Sequence, residues 1–206
     1  MRRYVIVGGA DIGDYEAVSR RLKDDDFFVF CDCGLKHAEK LGVRPDLIIG
    51  DFDSFKRPET DIEIIDLPVV KDDTDTVFAM KEGLRRGFDD YLLVGVFGGR
   101  LDHTLCNISI LLKLRLEGKN AIAYDDRGEI SVLVNETVKI SPDCRFFSLI
   151  NFTGRAGNIT VTGAKYNLEN AGIPCDYQYG VSNEVLPGGQ ASVTVTDGEL
   201  LLIKIY

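Results

Sequence analysis

Short apolar runs alternate with helix-like segments through the first 125 residues of this 206-residue chain. The runs are brief and apolar throughout, which is typical of parallel strands buried on both faces. The predicted strands are Tyr4–Val7, Phe27–Cys31, Leu47–Ile49, Ile62–Ile65, Tyr91–Phe97 and Ala121–Tyr124. The predicted helices are Asp14–Lys23, Leu35–Leu41, Asp75–Arg86 and Asp102–Glu117. This alternation predicts an N-terminal α/β domain over residues 1–125 with a mostly parallel sheet.

The pattern changes after residue 125, where helical periodicity stops and short alternating segments appear. These segments are separated by turn residues such as Asn135-Glu136, Pro187-Gly188-Gly189 and Asp197-Gly198. Their predicted strands are Ile130–Val134, Thr137–Ile140, Phe146–Ile150, Asn158–Thr162, Ala191–Val195 and Leu200–Tyr206. Residues 126–206 are therefore predicted to form an all-β domain, a small sandwich or barrel.

The charge balance and the hydropathy exclude several classes of partner. The chain carries 24 basic and 33 acidic residues, a net charge of −9, so we expect no nucleic-acid partner. No apolar run approaches the roughly 20 residues that span a bilayer, so we expect no membrane partner. Arg2 and Arg3 precede only a short apolar run, which favours a first strand over a signal peptide. The five cysteines are an odd number and fit free thiols in the cytoplasm.

Aspartates follow the predicted strands at several points. Asp32 follows one strand, Asp51 and Asp53 follow the next, and a third cluster, Lys71-Asp72-Asp73-Thr74-Asp75, precedes a helix. The segment Gly98-Gly99-Arg100-Leu101-Asp102-His103 follows the strand predicted over Tyr91–Phe97. Because ligands of an open parallel sheet bind beyond the carboxyl ends of its strands, the clusters are predicted to converge on one rim.

The aspartate spacing favours a hard cation. Asp51 and Asp53 are an i, i+2 pair, and in an extended segment both carboxylates would point the same way. Two such carboxylates repel each other unless a divalent ion neutralises them, and Mg²⁺ is usually held by one or two carboxylates together with substrate phosphates. The alternative is that these are turn or N-cap residues, an interpretation that is stronger for Asp72 and Asp73 because helix N-termini favour acids. Asp75 is the better candidate ligand of that cluster.

The glycine-rich segment fits phosphate. Gly98 and Gly99 would let the backbone approach a phosphate, and Arg100 offers a planar fork for its oxygens. A plain glycine turn with a surface arginine is the alternative. Asp102 either caps the following helix or accepts a proton from a substrate hydroxyl, whereas His103 is more typical of a packed or capping residue. No Gly-x-x-x-x-Gly-Lys-Ser/Thr loop is present in the sequence, which excludes a P-loop kinase.

Several motifs, in this order, resemble those of the thiamine pyrophosphokinase (thiamine diphosphokinase) family. They are Pro45-Asp46-Leu47-Ile48-Ile49-Gly50-Asp51-Phe52-Asp53-Ser54, then Asp72-x-Thr74-Asp75, then Gly98-Gly99-Arg100-Leu101-Asp102-His103-Thr104-x-x-Asn107. The resemblance continues in Gly163-Ala164-Lys165-Tyr166-Asn167-Leu168 and Gly180-Val181-Ser182-Asn183-Glu184. It covers nearly the whole chain.

The resemblance implies an enzyme that transfers a pyrophosphoryl group from ATP to the thiamine hydroxyl, giving thiamine diphosphate and AMP. It implies Mg²⁺, an α/β catalytic domain, a thiamine-binding β-sandwich, and a homodimer whose sites each use both subunits. Asp51, Asp53 and Asp75 match the family's metal and phosphate site, and Arg100 and Asp102 complete the expected catalytic set. The expected ATP-binding residues are Asp32, Asp72, Thr74, Gly98, Gly99, Arg100 and His103, and the expected thiamine-binding residues are Ser182 and Asn183.

The chain departs from the family pattern at Cys33, Asp73 and Val77, where a glycine, a basic residue and an acid are common. It also has no Trp, the residue that often stacks on the thiamine pyrimidine. Tyr177, Tyr179 or Tyr206 would serve, since stacking on a cationic heterocycle needs a π face rather than an indole.

Two other classes of function remain open at this point. One is a Mg²⁺-dependent phosphatase with Asp51 as nucleophile, since Asp51-Phe52-Asp53 superficially matches an Asp-x-Asp box. The other is a non-catalytic sensor that binds a nucleotide or thiamine.

Overall fold

The computed structural model describes residues 2–53 and 55–206, and the chain divides into two compact units between Asp126 and Arg127. Each unit has its own cluster of buried apolar side chains. Within the described residues, no helix is long and apolar enough to cross a membrane.

A parallel sheet forms the centre of the first unit. Its strands are β1 (Tyr4–Val7), β2 (Phe27–Cys31), β3 (Leu47–Gly50), β4 (Glu63–Asp66), β5 (Asp90–Val94) and β6 (Asn120–Tyr124). They pair in parallel in the order β6-β5-β1-β2-β3-β4. From β1 the chain adds β2, β3 and β4 on one side, then returns to add β5 and β6 on the other. This reversal of strand order between β1 and β5 is where an open parallel sheet forms its binding crevice.

Helices lie against both faces of this sheet. They are α1 (Tyr15–Ser19), α2 (Ala38–Leu41), α3 (Asp75–Arg85) and α4 (Leu101–Leu116), with a 3-10 helix over Asp32–His37. Because side chains alternate along a strand, Val5 and Val7 of β1 share one apolar cluster with Val18 of α1. Tyr4 points to the other face, where a Cβ on Gly83 of α3 would lie only 2.9 Å from its ring.

The helix predicted over Asp14–Lys23 is shorter in the structure. Asp14 caps it as expected, because its Oδ1 accepts a hydrogen bond of 3.0 Å from the N–H of Ala17. The α-helical ladder then gives way to i→i−3 bonds: the N–H of Arg21 donates to Val18 and the N–H of Leu22 donates to Ser19. The chain tightens into turns at this point and the helix ends at Ser19.

Two other predicted boundaries are wrong. The segment Leu35–Leu41 is not one α-helix, because a 3-10 helix begins three residues earlier, at Asp32, and continues into α2. The strand predicted over Tyr91–Phe97 ends at Val94, since Gly95 has a φ of 62° and turns the chain away from the sheet.

The second unit is built from antiparallel strands. They are β7 (Gly128–Ile140), β8 (Phe146–Ile150), β9 (Ala156–Gly157), β10 (Ile159–Thr162), β11 (Leu168–Ala171) and β12 (Ala191–Ile205). Strand β12 pairs with β7 along most of its length, with β10 near its start and with β8 near its end. Side chains from both parts of β12, among them Val193 and Leu202, belong to one buried cluster.

Two turns that the sequence predicts in the second unit are absent from the described structure. Asn135-Glu136 lies inside β7 and Asp197-Gly198 lies inside β12, so each pair of predicted strands is one long strand. The register shifts between Val195 and Glu199, opposite Asn135, whose φ is 47°. The turn residues therefore mark a β-bulge that bends the ribbon without ending it.

Candidate active site

The predicted polar residues of the first unit lie at the carboxyl ends of its parallel strands. Asp32 directly follows β2 and Asp51 directly follows β3. The segment after β4 leads to α3, and the segment after β5 leads to α4. Because these strands are parallel, all four segments leave the sheet at the same edge, where the β1–β5 reversal also lies.

Asp32 is buried at the first position of the 3-10 helix, with a φ of 42°. A Cβ on Gly50, the last residue of β3, would lie 3.1 Å from both Cα and Cβ of Asp32. Glycine at position 50 thus allows the end of β3 to pack directly against Asp32. This packing brings Asp32 next to Asp51, which is one residue further along the chain.

Asp51, Phe52 and Asp53 form a turn, so the expectation of an extended segment is wrong. Phe52 has a φ of 54°, and the backbone N–H of Asp53 donates to Oδ1 of Asp51 over 3.3 Å. Asp51 is partly buried, whereas Asp53 is exposed. The two carboxylates therefore have different surroundings. The last residue of the predicted motif, Ser54, lies outside the described residues.

Lys71 connects two of the aspartates. Its Nζ forms an ion pair with Oδ2 of Asp51 and lies 3.1 Å from Oδ1 of Asp75. The side chains of Lys71, Asp51 and Asp75 are only 15%, 11% and 21% exposed, so the three charges meet in a partly dehydrated place. In the sequence, Lys71 stands out only as the first residue of its cluster. Nothing in the spacing pointed to an ammonium group between two predicted metal ligands.

The local charges shift the pKa values of this group in opposite directions. The hydrogen bond from Lys71 holds the pKa of Asp51 below its usual range. Burial raises the pKa of Asp75, and the nearby charges of Asp51 and Asp32 raise it further. Burial lowers the pKa of Lys71, but its bonds to the two carboxylates outweigh this effect and the net shift is upward. Lys71 contacts Asp51 and Asp75, and the buried Asp32 packs against Gly50 beside Asp51; we call these four residues the acidic cluster.

Thr74 caps the helix that carries Asp75. Its Oγ1 accepts a hydrogen bond of 3.3 Å from the N–H of Val77. Asp73 pairs with Lys81 at 2.5 Å, and Asp72 is exposed. The structure thus gives Thr74 and Asp73 local roles in and around α3, and of the three aspartates in this segment it places only Asp75 in the acidic cluster.

Asn107 joins α3, α4 and the loop after β5. Its buried side chain is 4% exposed; Oδ1 accepts a hydrogen bond of 2.8 Å from the hydroxyl of Thr76, and Nδ2 donates one of 2.8 Å to the carbonyl of Val96. Thr76 is the neighbour of Asp75, and Val96 comes two residues before Gly98. Asn107 therefore fixes the acidic cluster relative to the glycine loop, a role that the motif alone did not reveal.

The glycine loop has an open backbone. Gly98 and Gly99 have φ values of 89° and 65°, and added Cβ atoms would meet no other atom within 4 Å. Glycine is needed here for its conformation. The N–H of Gly98 donates to the hydroxyl of Thr104, so that donor serves the loop itself.

Arg100 and Asp102 pair with each other. Nε of Arg100 lies 2.9 Å from Oδ1 of Asp102 and Nη2 lies 2.6 Å from Oδ2, a bidentate arrangement on an exposed surface. The hydrogen bond from Arg100 holds the pKa of Asp102 well below its usual range. His103 is exposed, and its backbone N–H donates to Asp102. One helical turn after Asp102, Sγ of Cys106 lies 3.9 Å from the hydroxyl of Thr74, which places the start of α4 beside the start of α3.

The predicted thiamine-side residues lie in the second unit. Ser182 is exposed, has a φ of 59°, and its N–H donates to the hydroxyl of Ser148. Asn183 is buried: its Oδ1 accepts from the N–H groups of Tyr166 and Glu184, and its Nδ2 donates to the carbonyl of Tyr166. The Asn183 amide is thus used inside the unit, where it fixes the segment that carries Ser182.

Left-handed backbone also marks the predicted motifs. The described non-glycine residues with positive φ include Asn135, Asn158 and Asn170, and asparagine tolerates this region. The others are Asp32, Phe52 and Ser182, and each is, or lies directly beside, a residue predicted to belong to a site. Such a conformation costs on the order of 1–3 kcal/mol and clusters at functional sites.

Sequence comparison places these residues in a known family. Residues 18–123 match the family model described as "Thiamin pyrophosphokinase, catalytic domain", and residues 135–200 match "Thiamin pyrophosphokinase, vitamin B1 binding domain". The thiamine pyrophosphokinase of Bacillus subtilis is 30% identical over 177 residues, which cover 79% of this chain and 79% of that protein. The chain belongs to the thiamine pyrophosphokinase family. The known activity of this family is transfer of a pyrophosphoryl group from ATP to thiamine.

Solved structures of the thiamine pyrophosphokinase family share the fold. The B. subtilis structure matches with a TM-score of 0.89 at 24% identity, covering 99% of both chains. A family structure from Enterococcus faecalis matches with a TM-score of 0.83 at 27% identity, covering 100% of this chain and 99% of that one. The yeast enzyme, at 15% identity, still gives a TM-score of 0.80 over 100% of this chain and 86% of its own.

The acidic cluster fits a divalent cation by its donor chemistry. Among residues 2–53 and 55–206, no group of three or more His, Cys, Asp and Glu is arranged to hold a metal ion. Asp51 and Asp75, however, already share one cationic group, the ammonium of Lys71. Two carboxylates with further ligands from substrate phosphates are what Mg²⁺ usually requires.

Proposed function

We propose that this member of the thiamine pyrophosphokinase family converts thiamine and ATP into thiamine diphosphate and AMP. The observation that carries the proposal is the acidic cluster at the carboxyl edge of the parallel sheet, where Asp51 and Asp75 share one cation beside buried Asp32. We assign ATP and Mg²⁺ to an α/β catalytic domain, residues 1–125, and thiamine to a β-sandwich domain, residues 126–206.

Asp51, Asp53 and Asp75 would hold Mg²⁺, and bound Mg²⁺ would neutralise charge on the ATP phosphates. Asp51 and Asp75 are preorganised for this by their shared position around Lys71. Asp53 is exposed at the end of the Phe52 turn and is available from the solvent side. Asp32 adds negative charge behind them. Asp72, Thr74, Gly98, Gly99 and His103 complete the ATP side of the proposed site.

Arg100 and Asp102 are proposed to exchange partners during the reaction. In the structure, the Arg100 fork is occupied by the Asp102 carboxylate. A phosphate oxygen pair binds the same fork bidentately, so ATP competes with Asp102 for Arg100. Released Asp102 then orients the thiamine hydroxyl and accepts its proton. The hydroxyl oxygen bonds to the β-phosphorus, the bond from that phosphorus to the α–β bridging oxygen breaks, and AMP leaves with that oxygen.

Tyr177 is the best-placed ring in the second unit for stacking on a thiamine heterocycle. Its side chain is 69% exposed, and its centroid lies 5.9 Å from that of Tyr179, whose hydroxyl donates to the carbonyl of Gly172 over 2.6 Å. Tyr206 is the remaining candidate from the sequence. Ser182 would contact thiamine from its exposed turn, with Asn183 as the residue that positions it.

We also propose a homodimer in which each site uses both subunits, and a cytoplasmic location, where its five free thiols would stay reduced. Sedimentation velocity at micromolar concentration tests the first point. A sedimentation coefficient that matches two chains is expected, and one that matches a single chain at all concentrations contradicts the dimer.

The decisive experiment incubates the protein with ATP, Mg²⁺ and thiamine and identifies the products by chromatography. AMP with thiamine diphosphate is expected; ADP with thiamine monophosphate, or no thiamine-dependent turnover, refutes the proposal. A trapped aspartyl-phosphate on Asp51 would indicate the phosphatase, and binding of both ligands without AMP would indicate the sensor.

Variants then test the site. Asp51→Asn and Asp53→Asn should each lower turnover at least about 100-fold with unchanged folding, because each removes a charge that holds the cation. Asp61→Asn is the matched control, since Asp61 is exposed and pairs with Arg44 away from this edge. If Asp51→Asn and Asp61→Asn have equal activity, the metal assignment is wrong.

A further inference from the structure

Lys71 stands where the proposed function requires a divalent cation. Its ammonium contacts a carboxylate oxygen of Asp51 and lies 3.1 Å from one of Asp75, and the same two carboxylates are the buried part of the proposed Mg²⁺ site. An ammonium group and a divalent ion cannot occupy one space between two carboxylates. Either Lys71 keeps its ion pairs permanently and the cation binds elsewhere, or the Lys71 ammonium leaves the two carboxylates when the cation binds.

The segment that carries Lys71 favours departure. Residues 67–74 connect β4 to α3 without regular secondary structure. Leu67 is anchored by its N–H to the carbonyl of Gly50, but the residues before Lys71 are open to solvent, with Val70 93% exposed. The exposed stretch before Lys71 can therefore shift with little loss of packing, and it can carry the 15%-exposed Lys71 side chain with it. Its four-carbon stem also lets the ammonium swing over several ångströms without a backbone shift.

The charges favour departure as well. Two carboxylates share one ammonium, and the buried Asp32 packs against Gly50, the residue before Asp51, so the carboxylates of the cluster outnumber its one ammonium. A divalent ion neutralises this excess better than a monovalent one. The displaced ammonium then needs an anion, and the polyphosphate of the nucleotide supplies one at the same edge of the sheet.

We propose that Lys71 is a displaceable counter-ion: it holds Asp51 and Asp75 in the absence of ligands, yields them to a divalent cation, and then binds the phosphates of the nucleotide. This inference rests on the proposed function, since it uses the same cation site. It makes cation and nucleotide binding interdependent. The cation must displace Lys71 to bind alone, and the nucleotide gains the ammonium that the cation releases.

Direct binding measurements test this without turnover. Mn²⁺ is titrated calorimetrically into wild type, Lys71→Met and Lys81→Met in the absence of nucleotide. Lys71→Met should bind Mn²⁺ at least about tenfold more tightly than wild type, because no ammonium has to be displaced. Lys81→Met removes the same charge from the nearby Asp73 pair and should stay within about threefold of wild type. Equal Mn²⁺ affinities for the two variants would overturn the proposal.

The second half of the cycle is measured with α,β-methylene-ATP, which lacks the scissile oxygen bridge. In the presence of saturating Mn²⁺, Lys71→Met should bind this analogue at least about tenfold more weakly than Lys81→Met, because the phosphates lose one cationic partner. Unchanged analogue affinity would show that Lys71 does not pass to the phosphates.

Wild-type protein provides a readout that does not depend on a variant folding. Amine acetylation, followed by peptide mass spectrometry, reports how accessible each lysine is. Lys71 should be acetylated several-fold faster when Mg²⁺ alone is added and slower again when α,β-methylene-ATP is added with it, while Lys81 stays constant. A rate for Lys71 that does not respond to Mg²⁺ overturns the proposal.

The product assay on the same protein separates the two ideas. If AMP forms but the acetylation rate of Lys71 does not respond to Mg²⁺, the counter-ion proposal is wrong and the proposed enzyme activity stands. If the acetylation rate of Lys71 responds to Mg²⁺ but no thiamine-dependent AMP forms, the proposed enzyme activity is wrong and the counter-ion proposal stands.

Discussion

Replacing Asn107 with leucine should destabilise the protein and weaken the support of the proposed site. Asn107 is buried and makes two hydrogen bonds of 2.8 Å, to the hydroxyl of Thr76 and to the carbonyl of Val96. Leucine has the same branched arrangement of four side-chain heavy atoms but can make neither bond. Each polar group left without its partner costs about 1–3 kcal/mol, and the apolar gain of leucine offsets part of this. We expect the free energy of unfolding to fall by about 2–4 kcal/mol.

The effect on turnover should exceed what lost stability explains. Thr76 adjoins Asp75, and Val96 precedes the glycine loop by two residues, so the substitution releases both parts of the site from a common anchor. Small displacements of catalytic groups cost up to about 100-fold in rate. Measured well below the melting temperature, thiamine-dependent kcat should therefore drop at least about tenfold. On the same preparations, urea unfolding gives the free energy of unfolding and AMP release gives kcat.

Two further variants make this prediction refutable. Thr76→Val removes the same hydrogen bond from the other side, and the double variant should show a coupling energy of about 1 kcal/mol. Ser109→Ala, an exposed change on α4, should alter neither number. If Asn107→Leu loses stability but retains kcat within twofold, Asn107 only packs the helices and does not position the site.

Three shorter predictions follow from the same structure. Hydrogen bonds from Arg85 and Arg86 lower the pKa of Glu82 from its usual 4.5 to about 2. The contribution of the Glu82 carboxylate to folding stability is therefore complete above pH 4.5 and is lost as the pH falls toward 2. Acid unfolding of Glu82→Gln should lack this component, about 1–3 kcal/mol. Gly83→Ala should destabilise by about 1–2 kcal/mol despite better helix propensity, because its Cβ would lie 2.8 Å from the buried ring of Tyr91; thermal unfolding checks this. Arg100→Lys should lower kcat/KM about 10–100-fold without changing the melting temperature, since lysine cannot form the bidentate fork.

Sequence patterns predicted the strands of the first unit well because each is a run of apolar residues whose burial decides its structure. Strands β9 and β11 were not predicted. Ala156–Gly157 is only two residues long and Leu168–Ala171 has polar residues at its centre, and both become strands only because β12 and β10 offer unpaired backbone beside them. The bulge at Asn135 has the same cause: turn residues that would end an isolated strand instead bend one that is held by its partner.

The residues of the candidate site also differ in how far the sequence could predict them. The sequence pointed to Asp32, Asp51 and Asp75 because residue type and position after a strand are local properties. The contact made by Lys71 depends on how residues 67–74 cross the sheet edge, and the role of Asn107 depends on where α4 lies against α3. These are tertiary relations, and a pattern along the chain carries no information about them.

The pairing of these charges also determines how ligands bind. Asp51 and Asp75 are paired with Lys71, and Arg100 is paired with Asp102, so several of the charges proposed for catalysis already have partners within the chain. ATP and its cation therefore exchange existing ion pairs for new ones, and the binding free energy is the difference between the two sets. Exposed pairs such as Arg100–Asp102 are worth little in water, so exchanging them is inexpensive. The partly buried contacts of Lys71 are stronger, and removing them should have the larger effect on affinity for the cation.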